Sequence, residues 1–144
     1  MKQKFLFLIG LIALSLLLNA TQMFAKQLLP NVKTVSYEVA IKDDKPAIAM
    51  FYVDWCTFCR RFMPTLKTLS EIYSGKYNVV KIDCEDTDNS ELVEEYLIDS
   101  YPTLYIIDSK YDYRAHIASP NYGDLKLLQK EFDRYLKLRA NIKK

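Results

Sequence analysis

Apolar residues along this chain recur in two alternating rhythms. Ala47 to Val53 (AIAMFYV) is a nearly continuous apolar run of strand length, the pattern of a strand covered on both faces. Directly after it, Cys59, Phe62, Met63, Leu66, Leu69 and Tyr73 recur at helical spacing. They predict a helix from the cysteines to about Ser74-Gly75, kinked at Pro64. Tyr77 to Asp83 (YNVVKID) reads as a second strand, and Asp88 with Glu91 three residues on reads as a capping box opening a helix to about Ile98. Thr103 to Asp108 (TLYIID) predicts a third strand with Pro102 at its entrance. Tyr113 to Ala118 predicts a fourth, antiparallel to the third through the turn at 108–112. Leu125, Leu128, Phe132 and Leu136 form the stripe of a closing helix. Residues near Thr34 to Ile41 suit a short opening helix, ended by the charged turn Lys42 to Pro46. This order of elements predicts an α/β fold, a central mixed β-sheet flanked by helices on both faces.

The first 25 residues follow a different pattern. Lys2 and Lys4 precede the apolar run Phe5 to Leu18, and Ala20 or Ala25 offers a small residue for cleavage, so residues 1–25 read as a secretory signal peptide. The run is shorter than the roughly 20 residues of a spanning helix, although Asn19, Ala20 and Thr21 could extend it into an uncleaved membrane anchor. Residues 26–144 then form one domain, since a chain of 144 residues suits a single core. The net charge is +2, and removing Lys2 and Lys4 balances the signs. No basic face for nucleic acid is indicated.

Export bears on the cysteines. Cys56, Cys59 and Cys84 are too few and too unevenly spaced to staple a small domain, so a core must do the folding and the thiols are free for chemistry. Cys56 falls at the start of the predicted helix, where unpaired backbone N–H groups and the positive end of the macrodipole favour thiolate. Cys59 is one turn on, within reach of a mixed disulfide formed at Cys56. Two other readings remain open: inert buried thiols, or half of a zinc site completed by Cys84 and His116. Zinc sites usually show a second close-spaced ligand pair, and these candidates stand singly.

FYVDWCTFCRRFMP, followed at a distance by SYPTLYIID, resembles the thioredoxin family, and Tyr-Pro-Thr is similar to its protein disulfide isomerase branch. The resemblance implies a thioredoxin fold and a Cys56–Cys59 redox pair exchanging disulfides with protein substrates. It further implies a cis Tyr101-Pro102 bond beside Cys56, with Pro102 substrate-binding because the backbone before it pairs with an extended client, and an apolar rim of Trp55, Phe58 and Tyr101. One departure is mechanistic. The family's buried aspartate, six residues before the first cysteine, is Met50 here, which leaves Lys81 without its usual partner. Asp54, Asp83 and Glu85 are candidate substitutes, and Arg60, Lys81 and Cys84 candidate modulators, Cys84 as a third redox thiol. Nothing resembles a flavin, nicotinamide or haem site, so no cofactor is expected and electrons must come from or go to another protein. Two functions follow: an exported thiol-disulfide oxidoreductase, or an exported chaperone or assembly factor of the same fold with little redox turnover.

Overall fold

A computed structural model describes residues 10–17, 19 and 30–142. The chain divides into two compact units, residues 1–30 and residues 31–144. In the first, residues 10–17 are helical, while Ala20 and Ala25 lie outside the described residues. Among the described residues no helix is long and apolar enough to cross a membrane.

The second unit runs α1 (Tyr37–Lys42), β1 (Ala47–Tyr52), α2 (Thr57–Ile72), β2 (Asn78–Asp83), α3 (Ser90–Glu95), β3 (Thr103–Asp108), β4 (Tyr113–Ile117) and α4 (Leu125–Ile142). The strands form one mixed sheet in the order β2-β1-β3-β4. β1 is parallel to β2 and antiparallel to β3, and β4 is antiparallel to β3. This is the mixed sheet of a thioredoxin fold. Alternation along β1 sends Ala47, Ala49 and Phe51 to one face, where they pack with Val80, Ile82, Ile107, Ala40 of α1 and Tyr96 beyond α3. Ile48 and Met50 point to the other face with complete burial, as do Leu104 and Ile106 with almost none of their surface exposed. The long helices α2 and α4 supply the cover there. They are joined by the edge-to-face rings of Tyr73 and Phe132, and by the Tyr77 hydroxyl donating to Phe132 O at 2.8 Å.

Several elements differ from expectation. The opening helix begins at Tyr37 instead of Thr34, because Val35 bridges to Val80 and its N–H donates to Val79 O at 2.9 Å. An edge-strand partner outside the local sequence thus overrides the helix. The Asp88–Glu91 capping box does not form. Asp86 accepts from Asp88 N at 3.1 Å and opens a 3-10 turn at Thr87–Asn89, which leads into α3. α3 stops at Glu95, short of Ile98, and Leu97 takes a left-handed φ of 51°. α2 follows its predicted stripe and runs through Pro64, which is exposed. The missing N–H therefore leaves the Arg60 carbonyl on the solvent side, where water can serve it. On α4 the buried face is Leu128, Phe132, Tyr135 and Arg139, with Leu125 and Leu136 only half-buried.

Candidate active site

β1 delivers the chain to Val53, buried beneath the site, and the Cys56 N–H donates back to Val53 O at 3.2 Å to close a turn. Cys56 is the N-cap of α2, and its Sγ accepts from the Cys59 N–H at 3.0 Å. A helix N-cap usually offers an oxygen to these free donors; here the acceptor is sulfur, and acceptance strengthens when the sulfur is anionic. As a thiol, Cys56 donates to the carbonyl of Tyr101, 3.6 Å away across the cis Tyr101-Pro102 bond. The second cysteine stands in a different environment. Cys59 is 2% exposed, and burial pushes its thiol up to about 12, with the hydrogen bond to Cys56 acting in the same direction. One sulfur thus accepts a free N–H of the helix start, and its neighbour is held as a neutral thiol.

The residues singled out in the sequence gather around this pair to different degrees. Trp55, 65% exposed, donates its indole N–H to Glu85 Oε1 at 2.8 Å and sets its ring edge-on to Tyr101. Phe58, 68% exposed, has the Arg61 guanidinium over its ring, 5.9 Å from the centre. Arg60 folds back along the turn, donating to Asp54 O at 3.3 Å and Thr57 Oγ1 at 3.4 Å. Met50 is fully buried, and Lys81 has its ammonium 4.5 Å from the centre of the Tyr52 ring, so an aromatic face takes the place of a carboxylate partner. Two of the three candidate substitutes are engaged elsewhere, Asp83 accepting from Glu85 N and Glu85 from Trp55, while Asp54 is exposed. The acidity of Cys59 reflects burial, Cys56 and backbone amides, with no carboxylate prominent among them.

Cys84 is half-buried just past β2, with its thiol donating weakly to Ile82 O at 3.8 Å and the Tyr101 side chain nearby. Burial pushes it up to about 11. Tyr101 therefore meets Cys56 with its carbonyl and Cys84 with its side chain. His116 is exposed on β4, its ring against Tyr105. Among the described residues no group of three or more His, Cys, Asp or Glu side chains converges as a metal site.

Beside the pair runs a groove of about 680 Å³ between Phe58, Arg61 and Phe62 of α2, the Ser100–Pro102 segment, and Tyr122 in the 3-10 turn Ser119–Gly123. Pro102, expected to bind substrate, is among the lining residues. Tyr122 and Arg61 as lining residues were not recognisable from motif spacing. The only signal was that the loop Ser119-Pro120-Asn121-Tyr122-Gly123 follows the strand paired with the one Pro102 opens.

The sequence model described as Thioredoxin matches residues 29–130, more than half of the chain. Protein disulfide-isomerase 1 of Dictyostelium discoideum is 30% identical over 76 residues, covering 51% of this chain and 21% of that protein. The chloroplastic thioredoxin-like protein HCF164 of Arabidopsis thaliana is 27% identical over 78 residues, covering 54% and 30% respectively. The chain thus spans less than a third of the length of either relative. Among solved structures, the germline-specific thioredoxin Deadhead of Drosophila melanogaster superposes with a TM-score of 0.54 at 33% identity, covering 65% of this chain and 85% of that one. Thioredoxin from Trypanosoma brucei brucei, at 21% identity and a TM-score of 0.55 over 73% of this chain and 94% of that one, shares the fold. With the cysteine pair capping its helix beside a cis proline and the family sequence model spanning its sheet, the chain belongs to the thioredoxin family.

Proposed function

We propose that the protein is a thiol-disulfide oxidoreductase that reduces or exchanges disulfides in protein clients, working outside the cytoplasm. The observation that carries this reading is the Cys59 N–H donating to Cys56 Sγ at 3.0 Å in the first turn of α2. That contact aims a free helix N–H at the sulfur that makes the attack. Cys56 sulfur attacks one sulfur of a client disulfide; the client S–S bond breaks, and the departing client thiolate takes up a proton. Cys59 then gives up its proton, and its sulfur attacks Cys56 Sγ. The mixed disulfide breaks and the second client sulfur leaves as a thiol. Two electrons have passed to the client, and the Cys56–Cys59 disulfide is reduced again by a dithiol donor protein.

The extracytoplasmic setting rests on Lys2 and Lys4 ahead of an apolar run with small residues after it. N-terminal sequencing of the protein recovered from the exported fraction should begin near residue 26; an intact N-terminus in a membrane fraction would indicate an anchor. For the chemistry, insulin reduction driven by dithiothreitol is expected with the wild type. It should be abolished in Cys59→Ser, which should accumulate client mixed disulfides through Cys56. A wild type that binds unfolded clients without reducing insulin would make the protein a chaperone or assembly factor instead.

A further inference from the structure

The groove beside the cysteine pair has a direction. Phe58, Arg61, Phe62 and Thr65 line it at helical spacing, so it follows one face of α2 onward from the turn that carries Cys56. On its other wall the polar side chains are engaged within the fold. The Tyr122 hydroxyl accepts from the Leu104 N–H at 2.8 Å and donates to Ile117 O at 3.0 Å, and the Ser100 hydroxyl donates to Asp99 Oδ1 at 3.0 Å. Arg61 is the exception. It is exposed, it is the one charged residue in the lining, and among the described residues no carboxylate pairs with it. Its contact with the Phe58 ring is aromatic and uses none of its N–H donors. The preceding Arg60 differs, because it donates to Asp54 O and Thr57 Oγ1 and takes no part in the lining. The carboxylates that flank the lining in sequence, Asp99 and Asp124, accept from Ser100 Oγ and Lys126 N.

An unpaired guanidinium on an aromatic wall is complementary to an anion brought by the client. Spacing says where that anion sits. Arg61 lies about 7.5 Å further along α2 than Cys56 at the helical rise per residue. An extended chain advances about 6.7 Å in two residues and turns both side chains to the same face. A client whose sulfur meets Cys56 therefore brings the side chain two positions away level with Arg61. We propose that Arg61 is a specificity-determining residue, and that the groove selects protein clients with an aspartate or glutamate two residues from the reacting cysteine. The inference rests on the oxidoreductase reading above and names the class of client that this site takes.

Symmetric disulfides of three short peptides, with dithiothreitol as electron source, provide the test. The first carries Glu two residues to either side of its cysteine, the second carries Gln there, and the third has both Glu moved to its ends so that net charge is kept. The wild type should reduce the first about threefold more efficiently than the others, through KM, as expected for one partly exposed ion pair. Raising the salt to about 0.5 M should shrink that preference. Arg61→Gln should use the first and second peptides alike, Arg61→Lys should retain part of the preference, and Arg61→Glu should reverse it. Arg60→Gln should keep it in full. A wild type that treats all three alike would overturn the selection and leave the oxidoreductase reading standing. So would equal use of the first and third, which marks long-range charge instead of a placed contact. A fall in Arg61→Gln that is uniform across the peptides would also overturn it, by showing that Arg61 acts on Cys56 and not on the client. A wild type that reduces cystamine but none of the peptides would overturn the reading of protein clients itself, and this inference with it.

Discussion

Burial holds Cys59 as a neutral thiol at pH 7, so in the proposed cycle the step that releases the client is expected to be limited by the proton on Cys59. Other members of the family are expected from sequence to meet this with a buried aspartate, and Met50 offers nothing in its place. Stopped-flow resolution of a Cys56 mixed disulfide should therefore accelerate with nearly tenfold per pH unit from neutrality to beyond pH 9. A profile that levels off near pH 7 would mean that another base accepts the proton. Met50→Asp should speed resolution at neutral pH by at least about tenfold, the low end for a placed general base, while lowering stability through burial of a carboxylate. The same raised acidity has a stability sign. The unfolded thiol loses its proton near the ordinary value of 9.0 while the folded one keeps it to about 12, so its stabilising contribution is complete below pH 9 and lost progressively between 9 and 12. Cys84 is held as a thiol by burial in the same way, up to about 11. Cys84→Ser is accordingly expected to leave insulin reduction unchanged, and a drop in turnover would restore it as a third redox thiol.

Among the elements, α3 has an unusual stop. Leu97, 84% exposed, adopts φ 51°, a conformation that costs an L-residue about 1–2 kcal/mol and that glycine adopts freely. Leu97→Gly loses almost no buried surface. After the extra chain entropy of glycine is set against the relieved strain, it should raise unfolding stability by about 0.5–1 kcal/mol, measured from the denaturant midpoint. The comparison of α3 with α2 shows what a sequence can reveal. α2 was legible from Cys59 to Tyr73 because every buried position obeys one helical period, and β1 because all of it but Tyr52 is buried, on both faces. The start of α1 was hidden by Val35, whose partner Val79 lies across the fold, and the end of α3 by a leucine standing where glycine would have announced the turn. In the site, Cys56, Cys59 and Pro102 are carried by local spacing. Tyr122 is not, because its hydroxyl acts on two backbone groups from separate strands.

Across the whole molecule, β3 ties two unlike ends together. Its entrance, at Pro102, belongs to the cysteines. Its exit, at Asp108, carries a buried carboxylate, 1% exposed, that accepts from Tyr135 at 2.7 Å and from Arg139 Nε at 2.6 Å and so fastens α4 to the sheet. Arg139 also reaches the Asp44 carbonyl and lies over the ring of Tyr111. A strand of this length separates the ends by about 17–20 Å. Arg139→Met should cost about 3–5 kcal/mol by leaving Asp108 charged and unpaired, yet thiol chemistry measured below the melting transition should be unchanged. A matching fall in cystamine reduction would show that the two ends are coupled. Toward the cysteine end, the chain's single tryptophan, Trp55, sits next to Cys56, exposed, with its indole N–H committed to Glu85 and its edge against Tyr101. Because a disulfide accepts an electron from an excited indole far more readily than two thiols do, closing the Cys56–Cys59 bond should dim the emission of the entire protein. The molecule would thus report its own oxidation state as light, and its equilibrium with glutathione could be followed without a label.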